Sequence, residues 1–464
     1  MSFIPLRDLP EERIFALAER LDVRGPRYTS YPTVPVWRDG FPPEVFERAV
    51  EDLGREGQPF AVYVHLPFCR QRCLYCGCNS YITHQQDRMA GYMEALNLEL
   101  ERVAQKLPAG ARHAQLHLGG GTPTYIPAPL LAAFLDRLIA LIPGAPAAER
   151  SIEVDPRVTT DEVLHLLAQR GFRRISAGLQ DLNPEVQKAV NRVFTFEQME
   201  NFTAQARRAG FTGVNIDLIY GLPKQTRATW AATLEAVARL HPDRLACFGY
   251  AHLPAKIRHQ QALREEDLPA PRERLGMLLD AHTFFTGAGW EAVGFDHFAR
   301  PEDDLARARR EGRLWRNFMG YTTGRGLDLL GLGCSAISEF ETSFVQNITP
   351  PEEYAQALRA GRWAAHRGHL MDAEDRLRKR IITQLMCNLE IALPDEASAV
   401  HCGLAGSLKQ AMESLRPFEA DGLIVARNGG YEVTPLGQLF LRNLAMPFDG
   451  YLPRQGGSTF SRTV

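Results

Sequence analysis

The 464-residue chain has no apolar run approaching the roughly 18 residues that a membrane helix needs. The stretch "LLAAFLDRLIALI" is broken by Asp136 and Arg137. Charge imbalance is missing too: 53 Lys and Arg stand against 55 Asp and Glu, net −2, with no long basic block. That excludes wholesale binding to nucleic acid or an acidic membrane and leaves room for a local basic pocket. The N-terminus, "MSFIPLRDLPEERIF", carries acids and prolines where a secretory signal needs a basic start and an apolar run. A cytosolic protein without a membrane span is expected. Reducing compartments keep thiols free, which weighs against a disulfide framework.

The cysteines are unevenly placed. Of eight, Cys247, Cys334, Cys387 and Cys402 are scattered singly among apolar residues and read as small buried hydrophobes. The other four, Cys69, Cys73, Cys76 and Cys78, fall within ten residues in "VHLPFCRQRCLYCGCNS".

From about residue 60, short apolar or β-branched runs ("FAVYVHL", "AQLHLGG", "SIEVD", "RRISAGL", "GVNIDLIYG", "RLACFGYAH", "WEAVGFDHF") alternate with segments of helical spacing. Gly171 and Gly210 sit where helix-ending glycines belong. This rhythm predicts an α/β fold with parallel strands and right-handed crossovers. Cys69, the glycines after "LHL", Glu153, Asp155, Gln180, Asp217, His252 and Asp296 fall at or just past predicted strand ends, the habit of a full or partial (βα) barrel. The chain divides into an N-terminal arm (1–45), extended over "RGPRYTSYPTVPVW", a barrel domain (46–345), and a C-terminal domain (346–464). The last reads as helix–helix–hairpin–helix, a small winged-helix-like domain expected to cover the barrel mouth. It lacks a dense basic face.

The cysteine spacing is C-x3-C-x2-C-x-C. A structural zinc site pairs two short knuckles, and no second pair follows, so zinc remains open but incomplete. A cubane iron–sulfur cluster can take three thiolates from one loop, leaving one iron free to bind a cosubstrate. "GGGTP", Gly119 to Pro123, follows a predicted strand, and its bare backbone would admit a ligand closely. A second glycine run, "GLGCSA" at 331–336, lacks the acidic residue a dinucleotide fingerprint needs about 20 positions on, so a nicotinamide site is rejected.

Cys69, Cys73, Tyr75 and Cys76 together resemble the radical S-adenosylmethionine signature. "PRYTSYPT", "YVHLPFC", "CGCN", "GGGTPTY", "SIEVDPR", "NIDLIYGLPKQT" and "DHFARP" narrow the resemblance to the oxygen-independent coproporphyrinogen III oxidases, from about residue 25 to the C-terminus. The resemblance implies a partial barrel of the radical S-adenosylmethionine type. It also implies a [4Fe–4S] cluster on Cys69, Cys73 and Cys76, and two S-adenosylmethionine molecules. Tyr63, Gly120, Glu153 and Ile337 match residues around the cluster-bound molecule. Tyr75, Gly121, Thr122, Gln180, Arg192, Asp217 and Ala251 match those around the second. Cys78 separates this family from related heme chaperones and is implied to be needed for catalysis, without becoming a cluster ligand.

The implied reaction converts two propionates of coproporphyrinogen III to the vinyl groups of protoporphyrinogen IX, a step of heme biosynthesis, through a 5′-deoxyadenosyl radical. A reductant such as flavodoxin or ferredoxin is implied, and a monomer is expected. Arg27 and Arg300 are candidates for binding propionates; His65, His117, His252 and His297 read as structural or pocket-lining. The rival reading is a non-catalytic heme carrier on the same scaffold.

Overall fold

The structure, a computed structural model, describes residues 4–392, 403–427, 429–452 and 460–463. It divides into two compact units built from non-consecutive segments: Arg38–Pro269 with Gly326–Gly368, and Met1–Trp37 with Ala270–Arg325 and His369–Val464. The arm, barrel and C-terminal boundaries expected from sequence are linear, whereas both units here return to the chain after an excursion.

The first unit is a sheet with helices between its strands. Strands β1 (Phe60–Leu66), β2 (His113–Gly120), β3 (Gly144–Val154), β4 (Arg174–Gln180), β5 (Gly213–Tyr220) and β6 (Arg244–Gly249) pair in parallel in chain order. Beyond β1 lies β7 (Leu329–Leu332), also parallel, followed by the antiparallel β8 (Ile337–Phe340) and β9 (Ser343–Asn347) and then β10 (Ala365–Leu370). The strand order is open, so the barrel is partial.

Helices α1 (Gln86–Lys106), α2 (Ala128–Leu141), α3 (Asp161–Gln169), α4 (Phe196–Ala209) and α5 (Arg227–Arg239) supply the crossovers, and α6 (Pro351–Arg359) follows β9. Helix α1 buries Met89, Tyr92, Met93, Leu96, Leu100 and Val103, the i, i+3, i+4 stripe of an amphipathic helix. A capping box at Thr195 and Gln198 starts α4. Gly171 (φ 80°) follows α3 and Gly210 (φ 106°) ends α4, both in the left-handed conformation the sequence called for.

Alternation decides what each face of the sheet does. On β5, Val214, Ile216 and Leu218 are fully buried, while Asn215, Asp217 and Ile219 are only partly so. Each such buried aliphatic contributes about 1.5–3 kcal/mol. The polar positions are left for function. Asp217 therefore lies inside its strand on the polar face and Glu153 one residue before the end of its own, while Gly120 and Gln180 end theirs and Asp155 directly follows β3.

The second unit holds helices Glu11–Leu21, Pro271–Gly287 and Ala373–Asn388, among others. The N-terminal region has a helix, Glu11–Leu21, before Pro26 and Pro32, and Pro35 lies in a short 3-10 helix, Val34–Val36, where an extended arm was expected. "WEAVGFDHF" is two short strands, not one: an antiparallel hairpin, Glu291–Val293 with His297–Ala299, turning at Gly294 (φ 62°). Asp296 therefore sits in a turn of this unit. The single helix expected over "SLKQAMESLRPFEADGLI" is two, Ala405–Ser414 and Arg416–Ala420, because Pro417 has no N–H to continue the ladder. The expected hairpin is present as Ile424–Arg427 with Gly430–Val433, and Glu390–Ile391 adds a third strand. The final helix is split into Pro435–Gln438 and Leu441–Ala445. Cys247, Cys334 and Cys387 are fully buried, as expected of small hydrophobes; Cys402 lies outside the described residues.

Candidate active site

Strand β1 ends at Leu66, and Pro67 turns the chain into Phe68–Cys69, which pairs in parallel with Tyr81–Ile82. The cysteine loop is closed at its base by this short ladder. Phe68 is its apolar anchor, edge-on to Tyr92 at 5.5 Å. The rest of the loop is held by side chains bonding to its backbone. Asn191 Nδ2 donates to Arg72 O (2.8 Å), Gln260 Nε2 to Tyr75 O (2.9 Å), and the His259 ring nitrogen to Cys76 O (2.6 Å). Leu74 N donates to Val190 O (3.0 Å). Buried backbone groups require partners, and here polar side chains provide them where no ladder exists.

The seven described cysteines are all free thiols. Every sulfur of the C-x3-C-x2-C triplet is met by a hydrogen-bond donor. Thr122 Oγ1 lies 3.5 Å from Cys69 Sγ, and Cys78 N lies 3.4 Å from Cys76 Sγ. Cys73 Sγ faces two guanidinium groups, Arg192 Nη1 at 3.6 Å and Arg157 Nη2 at 3.8 Å. Donors aimed at sulfur suit thiolates, the form that binds metal. Among the described residues, no three His, Cys, Asp or Glu side chains converge on a point that could hold one metal ion. A single zinc ion needs its sulfurs within about 2.3 Å. Three donor-supported thiols on one loop suit the three-thiolate ligation of an iron–sulfur cluster. The Cys76 thiol is pulled below its usual range by its hydrogen bond with Cys78, and Cys78 is pushed up by the same contact.

The glycine turn packs against the base of this loop. A Cβ on Gly121 would meet the Pro67 carbonyl at 2.7 Å, and one on Gly120 (φ 116°) would meet the His65 ring at 2.8 Å. Protein atoms alone thus already demand these glycines. Gly120 N donates to Glu153 Oε2 at 3.2 Å, and His117 Nε2 lies 3.5 Å from Glu153 Oε1. Burial raises the Glu153 pKa, but His117 and the Gly120 amide more than offset it, leaving the carboxyl below its ordinary value. Tyr63 stacks on His117 at 6.0 Å, and its hydroxyl lies 3.0 Å from His65 Nδ1. His65 Nε2 lies 2.9 Å from the Asn79 carbonyl, so Nε2 carries the proton, Nδ1 accepts from Tyr63, and the ring is neutral. Burial lowers its pKa accordingly. Ile337 opens β8 beside Gly331, the residue paired with Tyr63. Tyr63, Gly120 and Glu153 are therefore brought together, with Ile337 at their flank.

The same close packing explains "GLGCSA". A Cβ on Gly333 would meet His65 O at 2.6 Å and the Tyr92 hydroxyl at 2.7 Å. Behind this turn, buried Glu99 accepts from Gly333 N (2.7 Å), Asn347 Nδ2 (2.7 Å) and the Tyr354 hydroxyl (2.6 Å). Burial nevertheless raises its pKa to about 7.

The second expected group is spread over the cysteine loop, the glycine turn and β4 to β6 with the segments that follow them. Gln260 joins two of its members, donating to Tyr75 O (2.9 Å) and Ala251 O (3.2 Å). Thr122, with its neighbour Gly121, reaches Cys69. Arg192 donates to Asp155 Oδ2 (3.0 Å) and through Nε to Gly178 O (3.0 Å). Asp217 accepts from Ser176 Oγ (3.0 Å) and Asn215 Nδ2 (2.6 Å). Gln180 has φ 73°, follows a bulge in β4, and leaves its buried Oε1 without a partner. Backbone strain and an unpartnered buried acceptor thus coincide at Gln180.

Sequence reasoning missed Arg157 and the anchors Asn191, His259 and Gln260. "DPR" after a strand was a usable signal for Arg157; nothing local marked Gln260. Arg27 and Arg300 belong to the other compact unit. There Arg300 lies over the Trp290 ring at 3.5 Å, and the Arg27 carbonyl accepts from Arg316 Nη1 at 3.1 Å. In the same unit Asp296 sits 2.6 Å from His297 Nδ1; burial raises its pKa, but His297, Arg316 and Arg27 hold it below the ordinary value.

Comparison with known proteins agrees with this arrangement. The Radical SAM superfamily model matches residues 63–237, and the HemN C-terminal domain model matches residues 371–440. The oxygen-independent coproporphyrinogen III oxidase of Pseudomonas aeruginosa is 40% identical over 451 residues, covering 97% of this chain and 98% of that protein. The protein of the same name from Escherichia coli is 41% identical over 450 residues, again 97% and 98%. A solved structure titled as coproporphyrinogen III oxidase (HemN) from Escherichia coli, a radical SAM enzyme, superposes with a TM-score of 0.87 at 40% identity, covering 94% of this chain and 98% of that one. With the thiol loop, the glycine turn and the polar strand face all in place, the chain belongs to the oxygen-independent coproporphyrinogen III oxidase family of radical S-adenosylmethionine enzymes.

Proposed function

We propose that this protein oxidatively decarboxylates two propionate side chains of coproporphyrinogen III to vinyl groups, giving protoporphyrinogen IX without oxygen. The observation that carries this reading is the cysteine loop: three thiols, each with a donor at its sulfur, beside the polar strand-end groups from Tyr63 to Asp217. When bound there, a [4Fe–4S] cluster with S-adenosylmethionine supplies the carbon radical that abstracts hydrogen from the propionate β-carbon. A propionate has no neighbouring group to hold a carbanion, which is why radical chemistry is needed.

The chain's own residues hold, orient and screen. Cys69, Cys73 and Cys76 hold the cluster. Glu153, kept ionised by His117 and the Gly120 amide, accepts from an ammonium or ribose hydroxyls, with Tyr63 and Ile337 framing the same molecule. A second S-adenosylmethionine is assigned to Tyr75, Gly121, Thr122, Gln180, Arg192, Asp217 and Ala251. The orphaned Gln180 Oε1 gives it an acceptor, and Asp217 gives it a carboxylate. Cys78, exposed and beside Cys76, is assigned a catalytic role without ligation. Arg27 and Arg300 supply positive charge for the substrate's carboxylates. The protein works in the cytoplasm as a monomer, reduced by a carrier such as flavodoxin or ferredoxin.

The test is anaerobic incubation of reduced, reconstituted protein with S-adenosylmethionine and coproporphyrinogen III. Vinyl product with up to two cosubstrates bound per chain is expected. Tight heme binding without turnover would overturn the reading in favour of a carrier, and an unchanged substrate affinity in Arg27→Ala would remove that residue's role.

A further inference from the structure

The three cluster thiols stand in unequal electrostatic surroundings. Cys69 meets a neutral hydroxyl; Cys76 meets a backbone amide, the Cys78 thiol and the Ser80 hydroxyl, with the charge of Arg72 nearby. Cys73 alone faces two guanidinium groups, and neither is a loose surface charge. Asp155, 7% exposed, accepts from Arg157 Nη2 (2.6 Å) and Nε (3.0 and 3.1 Å), from Arg157 N (3.0 Å), and from Arg192 Nη1 (3.0 Å). The arginine side chains are 18% and 7% exposed. One carboxylate thus fixes two cations, and the triad carries net positive charge at one sulfur. Burial strengthens its effect, since little water screens it. Asp155 lies at the end of β3 and Arg157 two residues on, so the strand itself sets their direction.

We infer that Arg157 is a cluster-tuning residue: aimed by Asp155, it joins Arg192 at Cys73 Sγ and raises the reduction potential of the bound cluster. The inference rests on Cys73 being a cluster ligand. Reduction adds one electron to the cluster and makes or breaks no bond to Arg157. The added negative charge is stabilised by the nearby cation, and hydrogen bonds to ligand sulfur shift cluster potentials in the same sense. Arg192 cannot supply the whole effect, because Asp155 would then neutralise it.

The test is a dithionite titration of the reconstituted protein, followed by electron paramagnetic resonance, with iron and sulfide counted in each variant. Arg157→Gln is expected to hold a full cluster whose midpoint moves negative by a tenfold shift in the reduction equilibrium, about 59 mV for one electron. Arg157→Lys, which keeps the charge, is expected to stay near the parent value. A full cluster with an unmoved midpoint in Arg157→Gln overturns the inference. If Arg157→Gln loses the cluster while Arg157→Lys keeps it, the charge requirement at Cys73 stands. Loss in both would reduce Arg157 to a prop for Asp155 and overturn the tuning role. Failure of the unmodified protein to assemble any [4Fe–4S] cluster would instead overturn the reading of Cys73 as a ligand, a result distinguishable from all of these.

Discussion

The cysteine loop and the sheet it rises from are held by different forces. Under the sheet, Val62, Val64, Leu116, Leu118, Ile152 and Ile216 are fully buried, and apolar burial does the work. In the loop, Gln260, His259, Asn191 and His65 bond to backbone carbonyls, and past the Phe68 anchor the apolar contacts are those of Leu74 and Tyr75, which are only partly buried. A typical hydrogen bond contributes about 1 kcal/mol net, far less than a core aliphatic, but it fixes direction. Stability is therefore stored on one side of the strands and geometry on the other.

Four changes would break or sharpen that contrast. Leu116→Ala, beneath β2, is expected to cost about 2–5 kcal/mol in urea unfolding while leaving the loop's cluster content intact below the new melting temperature. Next is the proton on Glu99. Its carboxyl, raised by burial to about 7 in the folded state, keeps a proton the unfolded chain releases near its ordinary value of 4.5. Its stabilisation is complete below the unfolded value and is lost as pH rises through about 7, an effect of up to about 3 kcal/mol. Subtracting the pH profile of Glu99→Gln from that of the parent isolates this decline; a flat difference would show that the Gly333 turn is held without the proton.

Gly121→Ala places a Cβ 2.7 Å from the Pro67 carbonyl, so backbone must move, at about 1–3 kcal/mol in thermal unfolding and with loss of iron content. Gln260→Ala leaves Tyr75 O, Ala251 O and Leu253 N without their partner, at about 1–3 kcal/mol. Weaker S-adenosylmethionine binding by equilibrium dialysis, with a smaller melting loss than that of Leu116→Ala, is the expected outcome. A melting loss as large as that of Leu116→Ala would erase the distinction between the two regions.

Much of this was legible in the chain itself. The strands "FAVYVHL" and "RRISAGL" and the helices around Gly171 and Gly210 announce themselves by period and by glycine position. The hairpin in "WEAVGFDHF" did not, since three-residue strands about a glycine turn have the composition of one longer strand. Asp217 was found as a site residue but misplaced at a strand end, because alternation, not termination, exposes it. Gln260 was invisible: it lies 185 residues from Tyr75, and no local pattern marks a long-range anchor.

By itself the sequence determined the parallel pairing of the strands, the thiol spacing and the family, since periodicity, covalent spacing and motif identity are properties of neighbours along the chain. Only the tertiary structure decided which donors meet which sulfur, why the glycines tolerate no Cβ, and that Asp155 steers two arginines onto Cys73. Those relations are distances between residues far apart in sequence. Hydrogen bonds and charge act over a few ångströms of space, whatever the separation along the backbone.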